Sequence, residues 1–359
     1  MSPAARRFRV WNSLTHTWLG LIFGIVFAVL GATGALISLQ PEIESALFPP
    51  VRSQVVCLGE PSLLNLETEL AAATSQPVDR LYFPNSTDPR VHLRFKDGEN
   101  QYQHLVYDSC SGKLLGAANL SWLDWTIDLH HNFLAAKTGR KVVGVAGAIL
   151  LLNALAGLIL WLLTKPQIRH LWSLPPRPGA KAWNYYTHRA VGLAAMAFLL
   201  LEAGTGIFLA FPIQFETAAA RPKMKRDKSQ LLPLDKYLNE ARKLRPASRI
   251  REVRWSAAGG PVSIKFWARD AQLSLNRADA TLLSSGRQPF QSTIAWLHYG
   301  EWGAAASRYL AALLGLTPAF LFVSGFLIWW LPKLAARRRK SPVPEKPSQD
   351  FEPRSYPAI

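Results

Sequence analysis

Cysteine is nearly missing from this chain of 359 residues: Cys57 and Cys110 are the only two, and both fall in one polar segment. A disulfide-stapled scaffold and a thiolate metal cluster are thereby excluded. One bridge between them remains open if that segment lies outside the cytoplasm; two unpaired thiols are the alternative. Acid is scarce as well, with 24 Asp and Glu against 41 Lys and Arg and a formal net charge of +17. Such a surplus suits nucleic acid or a membrane surface. No nucleic-acid motif accompanies it and much of the basic charge flanks apolar segments, so a lipid membrane is the partner it implies. Neither a glycine-rich dinucleotide fingerprint nor a phosphate-binding loop occurs. The chain therefore shows no nucleotide site of its own. In its longest apolar runs charge itself is almost absent, Glu202 being the exception.

Those runs define a polytopic α-helical membrane protein. Hydrophobic residues make up 49% of the chain, and four stretches reach the roughly 20 helical residues that a bilayer core of about 30 Å requires. They cover Leu14–Leu39, Val142–Leu163, Ala190–Phe211 and Tyr309–Leu331, the third helix being taken to begin at residue 188. The first follows Arg6, Arg7 and Arg9, as a signal peptide would. Its apolar run is too long and no small-x-small site ends it, so it reads as an uncleaved anchor.

Orientation follows from Lys and Arg in the short flanks. Residues 1–13, the loop 164–187 with Lys165, Arg169, Arg177 and Lys181, and the tail 332–359 opening on Lys333, Arg337, Arg338, Arg339 and Lys340 all belong inside. Both termini are then cytoplasmic, with the tail disordered; a bacterial inner membrane is what the family resemblance given below implies. Segments 41–121 and 213–291 face the periplasm, each followed by an interfacial segment, 122–141 and 292–308.

The chain is also a tandem duplication. Thr15-His16-Thr17-Trp18-Leu19-Gly20-Leu21 matches Thr187-His188-Arg189-Ala190-Val191-Gly192-Leu193, 172 residues later, and Thr33-Gly34 meets Thr205-Gly206 at the same spacing. Leu129-His130 matches Leu297-His298 at a spacing of 168, which also aligns Arg140 with Arg308, Gly157 with Gly325, Trp161 with Trp329 and Lys165 with Lys333. Each half is span, polar domain, span, in one orientation. Parallel repeats of this kind imply a pseudo-twofold axis along the membrane normal. In the polar domains, alternation over residues 90–95, 103–107, 261–267 and 272–276 predicts strands, with turns at 96–100 and 108–112. Helical stretches at Leu63–Ala73 and Leu234–Leu244 precede them. Two small α+β domains, helix plus antiparallel sheet, are the expectation.

The repeat sorts eight histidines. His16 and His188 open spans one and three; His130 and His298 precede spans two and four on the other side. His92, His104, His170 and His131, which faces Tyr299, have no counterpart. A single histidine at a membrane edge is ordinarily an interfacial polar residue. Two symmetry-related pairs supply something more specific, because two imidazoles from facing helices are what a six-coordinate haem iron requires. Gly20 and Gly192 stand four residues after a histidine, on one helix face, where a missing side chain leaves room for a flat macrocycle or for close helix packing. Arg140 and Arg308 suit haem propionates, or lipid headgroups. Zinc is the weaker metal, since no cysteine or carboxylate stands at fixed spacing beside these histidines. Glu202, opposite Leu30 in the other half, is costly in a span and signals a proton relay, a cofactor contact or a bond to Asn153. Trp122, Trp125, Trp296 and Trp302 read as an aromatic belt.

Four spans, Thr-His-x-x-x-Gly-Leu opening spans one and three, and Leu-His ahead of spans two and four resemble the PepSY-associated transmembrane proteins. The resemblance covers all but the tails. Bacterial iron-uptake members of that family include an inner-membrane ferric-siderophore (ferrioxamine) reductase. It implies PepSY-like periplasmic domains and b-type haem, as two groups or one, ligated by His16, His188, His130 and His298, with His131 as a substitute for His130. It further implies reduction of a ferric siderophore. The mechanism this suggests holds the chelate between the two outer domains, where the basic residues 221–226, Arg249, Arg251 and Arg254 either attract an anionic chelate or form a solvated or headgroup-facing surface. Electrons would come from a separate donor, a quinol or a cytoplasmic reductase. Two rivals stand beside this reading: a siderophore or iron transporter, favoured by matched Pro/Gly breaks in the spans, and a non-enzymatic regulatory or assembly module.

Overall fold

The computed structural model describes residues 2–50, 65–76, 78–83, 90–99, 101–163, 179–211, 231–255, 259–267, 272–286 and 289–340. Cys57, His170, the basic run 221–226 and the tail beyond 340 lie outside them. In chain order, the long α1 (Pro3–Ser38) and the short α2 (Gln40–Leu47) lead to α3 (Leu66–Ala73). Four strands follow, β1 (Val78–Tyr82), β2 (Arg90–Lys96), β3 (Tyr102–Asp108) and β4 (Lys113–Ala117), then α4 (Ser121–Asn132) and α5 (Ala136–Leu163). The second half repeats the plan with α6 (Ala180–Ala194), α7 (Met196–Ala210) and α8 (Leu234–Leu244), then β5 (Ile250–Arg254), β6 (Val262–Phe266), β7 (Gln272–Leu275) and β8 (Leu282–Ser285). It ends in α9 (Pro289–His298), α10 (Ala304–Gly315) and α11 (Thr317–Lys340).

The long helices invert the soluble pattern. Those of α5 that are buried are all small, Gly139, Gly144, Ala146, Ala154 and Ala156, whereas Ile22, Ile25 and Leu152 stand about 60% exposed. Close backbone approach through small residues, with large aliphatics turned outward, is how helices pack in lipid. Gly24 shows why: a Cβ there would stand 2.1 Å from Phe322 of α11. α1 begins where Ser2 accepts from the Ala5 N–H and Pro3 presets the first turn.

Among the described residues, three helices are long and apolar enough to cross a membrane: α1, α5 and the α10–α11 run Ala305–Leu334. The third expected span is instead the bent pair α6 and α7, which meet at 57° around Ala195 and make a fourth crossing if counted as one. Helix also extends beyond the expected spans. It covers residues 3–13 ahead of span one, 180–187 ahead of span three, and 332–340 of the tail that composition marks as disordered.

The helix bundle obeys the duplication. α1 packs on α5 and α11, and the second half mirrors this, with α6 on α11 and α7 on α5; α4 sits on α1 as α9 sits on α7. The sheet-forming part departs from expectation. Rather than two separate domains, all the described strands form one antiparallel sheet in the order β4-β3-β2-β1-β5-β6-β7-β8. β1 and β5, both missed by the sequence pattern, join the halves, with Leu81 opposite Val253. Those two residues are each other's equivalents at the 172-residue spacing, so the pseudo-twofold axis passes through the pair. Leu81, Leu93, Val253 and Ile264 bury completely in one core shared by both halves, with Leu66 of α3 and Tyr237 of α8. Edge strands that would be exposed in separate halves are thereby paired. The turn repeat is visible too: Asp108 Oδ1 accepts from the Cys110 N–H at 2.9 Å, and Asn276 Oδ1 from the Ala278 N–H at 3.0 Å.

Candidate functional site

The four duplicated histidines come together as two pairs. His16 of α1 faces His188 of α6 with ring centres 6.4 Å apart and planes at 73°. His130 of α4 faces His298 of α9 at 6.3 Å and 46°. The second pair lies toward the sheet and the first at the far end. His16 and Gly34, against which His130 rests, are 18 residues apart on the unbroken α1, about 27 Å along its axis.

Each ring is held the same way. The Nδ1 atom is anchored: His16 to the Asn153 carbonyl at 3.0 Å, His188 to Ser324 Oγ at 2.8 Å, His130 to Thr33 Oγ1 at 3.1 Å and the Leu30 carbonyl at 3.0 Å, His298 to Thr205 Oγ1 at 2.9 Å. Anchoring at Nδ1 leaves Nε2 as the nitrogen for ligation and fixes ring orientation. The other side of each ring rests on a glycine. A Cβ on Gly157 would stand 3.1 Å from His16 Cε1, on Gly325 3.3 Å from His188, on Gly34 3.0 Å from His130 and on Gly206 3.3 Å from His298. The symmetric Asn12 and Asn184 tie the far pair's helices to α5 and α11 through the Ala156 and Ser324 carbonyls, both at 2.9 Å.

The spacing fits a metal between the two rings of each pair. An imidazole nitrogen ligates at about 2 Å and its ring centre lies roughly 1 Å behind, so two rings on opposite sides of one ion stand about 6 Å apart. Among the described residues no group of three or more His, Cys, Asp or Glu side chains could hold a metal ion. Two protein ligands alone suit an ion whose remaining positions are filled by a macrocycle, as in haem, better than a structural zinc.

The remaining expected residues fall out differently. Gly20 and Gly192 do not adjoin the rings; their nearest neighbours are Asn153 Nδ2 and Leu321 Cδ2, each 3.6 Å from a built Cβ. Gly157 and Gly325 do that work instead. Arg308 is engaged by Glu42, Nε to Oε1 at 3.1 Å, and Arg140 donates to the Leu209 carbonyl. Glu202 does not meet Asn153; its Oε2 lies 3.0 Å from His298 Nδ1. His131 stacks edge-on to His130 at 5.8 Å, outside the facing pair, as Tyr299 does beside His298 at 6.0 Å. Cys110 is disulfide-bonded; Cys57, the other cysteine, is outside the described residues. Arg251 and Arg254 are ion-paired, with Glu301 at 3.1 Å and Glu252 at 2.8 Å. Of the four tryptophans expected in a belt, Trp122, Trp125 and Trp302 are exposed and Trp296 is half-buried.

One constellation escapes the repeat altogether. His92 Nε2 stands 2.7 Å from His104 Nδ1, and His104 Nε2 contacts Asp124 of α4, all three buried. With the carboxylate taking the His104 Nε2–H, His104 Nδ1 accepts from His92 Nε2–H, leaving a buried lone pair on His92 Nδ1. Burial first, then the neighbouring His104, Arg94 and Arg80, pushes the His92 pKa well down. The second half puts Gln272 and Ser263 at the matching places, joined at 3.1 Å. The only sequence signal was the absence of duplicate histidines.

Comparison with individually curated proteins finds no match to the chain. The family model described as the PepSY-associated TM region matches residues 13–331, the stretch that holds both histidine pairs and the whole sheet, and the chain belongs to that family.

Proposed function

We propose that the chain is a haem-b-bearing reductase of a bacterial inner membrane that passes electrons outward to a ferric siderophore and so releases ferrous iron. One observation carries this reading: two imidazole pairs at 6.4 and 6.3 Å, at opposite ends of the bundle, each ring anchored through Nδ1. His16 with His188, and His130 with His298, are the residues that would hold two haems. Haem supplies one-electron transfer, which siderophore release needs because hard oxygen ligands hold ferric iron far more tightly than ferrous. The chain's own part is to hold the rings. Asn153, Ser324, Leu30, Thr33 and Thr205 set the tautomers, the four glycines seat the rings, and the small-residue bundle keeps water out. Both termini lie in the cytoplasm on this reading, the sheet lies outside, and a quinol or cytoplasmic reductase is the donor. With the halves joined in one sheet, the substrate docks on its surface and not in a gap between two domains.

A transporter built on paired discontinuous helices would break both repeats at matched depth. Here Ala195 marks the bend, and its equivalent Phe23 lies in the middle of unbroken α1. The absorption spectrum of purified protein tests the proposal. A low-spin b-type spectrum is expected, with two haems per chain falling to one in His188→Ala and, separately, in His298→Ala. A folded but colourless protein, expressed with ample haem, would sink the reading and leave the regulatory module in its place.

A further inference from the structure

All four histidines are anchored through Nδ1, but the anchors differ in charge. His16 meets a carbonyl, His188 a serine hydroxyl, and His130 a threonine hydroxyl with the Leu30 carbonyl. His298 alone has an anion, Glu202 Oε2 at 3.0 Å, beside Thr205 Oγ1 at 2.9 Å. The Thr205 hydroxyl donates to the Leu201 carbonyl at 2.6 Å, so its oxygen is left to accept. The His298 Nδ1–H is then shared between the threonine oxygen and the carboxylate. The duplication turns this into a difference between halves. Position 30 serves His130 with its main-chain oxygen; the equivalent position 202 serves His298 with a carboxylate.

We propose that Glu202 is a positioning residue that sets the reduction potential of the sheet-side haem below that of the far one. The inference rests on the haem reading above. A carboxylate bonded to a ligating imidazole fixes its tautomer and raises its basicity, and negative charge beside a haem favours the oxidised, more positive form. Both effects lower the potential. The carboxylate's place in a span is otherwise unfavourable, and no other acid in the described spans stands beside a histidine. A lower potential at the sheet-side pair, the one nearer the substrate, strengthens the last reductant at the expense of the transfer from the far haem; ferric iron in hard oxygen ligands yields only to a strong reductant.

Spectroelectrochemical titration of the full-length, haem-loaded protein tests this. In Glu202→Gln one haem is expected to reduce more easily, by about tenfold in its reduced-to-oxidised ratio at fixed poise, about 59 mV for a one-electron couple. The other haem should not move, and Glu202→Asp should restore most of the difference. A merely structural role would leave both potentials in place, and that result, or an equal shift in both haems, overturns the inference alone. Wild-type protein that takes up no haem overturns the parent reading and this one with it. Should Glu202→Gln fail to fold, nitrogen-15 NMR of the wild-type imidazoles without haem decides: a proton on His298 Nδ1 is required, and one on Nε2 overturns the proposal.

Discussion

Glu252→Ala is expected to destabilise the sheet by about 3 kcal/mol, because removing one partner of a buried ion pair strands the others. Glu252 sits on β5 at the junction of the halves, 5% exposed. Its Oε1 takes Arg254 at 2.8 Å and stands 3.5 Å from Arg80 of β1, and its Oε2 takes Lys265 of β6 at 2.9 Å. One carboxylate thus binds three strands from both halves. Without it, Arg80, Arg254 and Lys265 face one another; Arg254 and Lys265 are partly solvated, which keeps the cost at the lower end of the range for buried pairs. Burial alone would raise the Glu252 pKa, but Lys265, Arg254 and Arg80 outweigh it and hold the carboxyl at about 2 against 4.5 when unfolded. Because the folded value is the lower one, this stabilisation is complete above pH 4.5 and drains away as pH falls toward about 2. Chemical denaturation of the detergent-solubilised full chain, followed by loss of β-sheet signal, should show both the lower midpoint and a flatter acid limb in Glu252→Gln. An unchanged midpoint for Glu252→Ala would mean the junction does not depend on this carboxylate.

Why that junction was invisible in the sequence has a physical reason. Alternation along β2 and β6 tells which side chains face a core, and the expected strands and the helix Leu234–Leu244 appear where the pattern put them. It says nothing about which strand lies alongside. β1 and β5 are short, carry charge at Asp79, Arg80, Arg251 and Glu252, and pair with each other across the halves as well as with β2 and β6 of their own. The histidines were legible because duplication marks residues that symmetry must bring together. Their supports were not. Gly20 shares a helix face with His16, yet Gly157, on another helix, seats the ring, since a side chain is packed by its neighbours in space. Arg308 looked free until Glu42 of α2 reached it, and Glu202 found a partner 96 residues away on α9. His92 and His104 were set aside for want of a duplicate, although the strands carry them to Asp124.

The glycine seats give the second large effect. Gly34→Leu is expected to remove the sheet-side haem and leave the far one, and Gly157→Leu to do the reverse, each taking the stoichiometry from two haems to one. A Cβ alone at position 34 would stand 3.0 Å from His130 Cε1, and at position 157 it would stand 3.1 Å from His16 Cε1. Alanine therefore asks the ring to yield a few tenths of an ångström, and Gly34→Ala should keep both haems. Leucine extends into the volume of the ring itself. His130 cannot slide sideways without giving up Thr33 Oγ1 and the Leu30 carbonyl, each bond worth about 1 kcal/mol. Facing it is His298, 6.3 Å away across the space that the haem would occupy, and His131 stands edge-on at 5.8 Å. Overpacking costs about 1–3 kcal/mol, within what a bundle of this size survives, so loss of one haem from a folded protein is the outcome to look for. Haem content per chain, measured beside a thermal melt, separates the two. If Gly34→Leu folds and still binds two haems, His130 does not hold one, and the sheet-side pair loses its assignment while the far pair keeps its own.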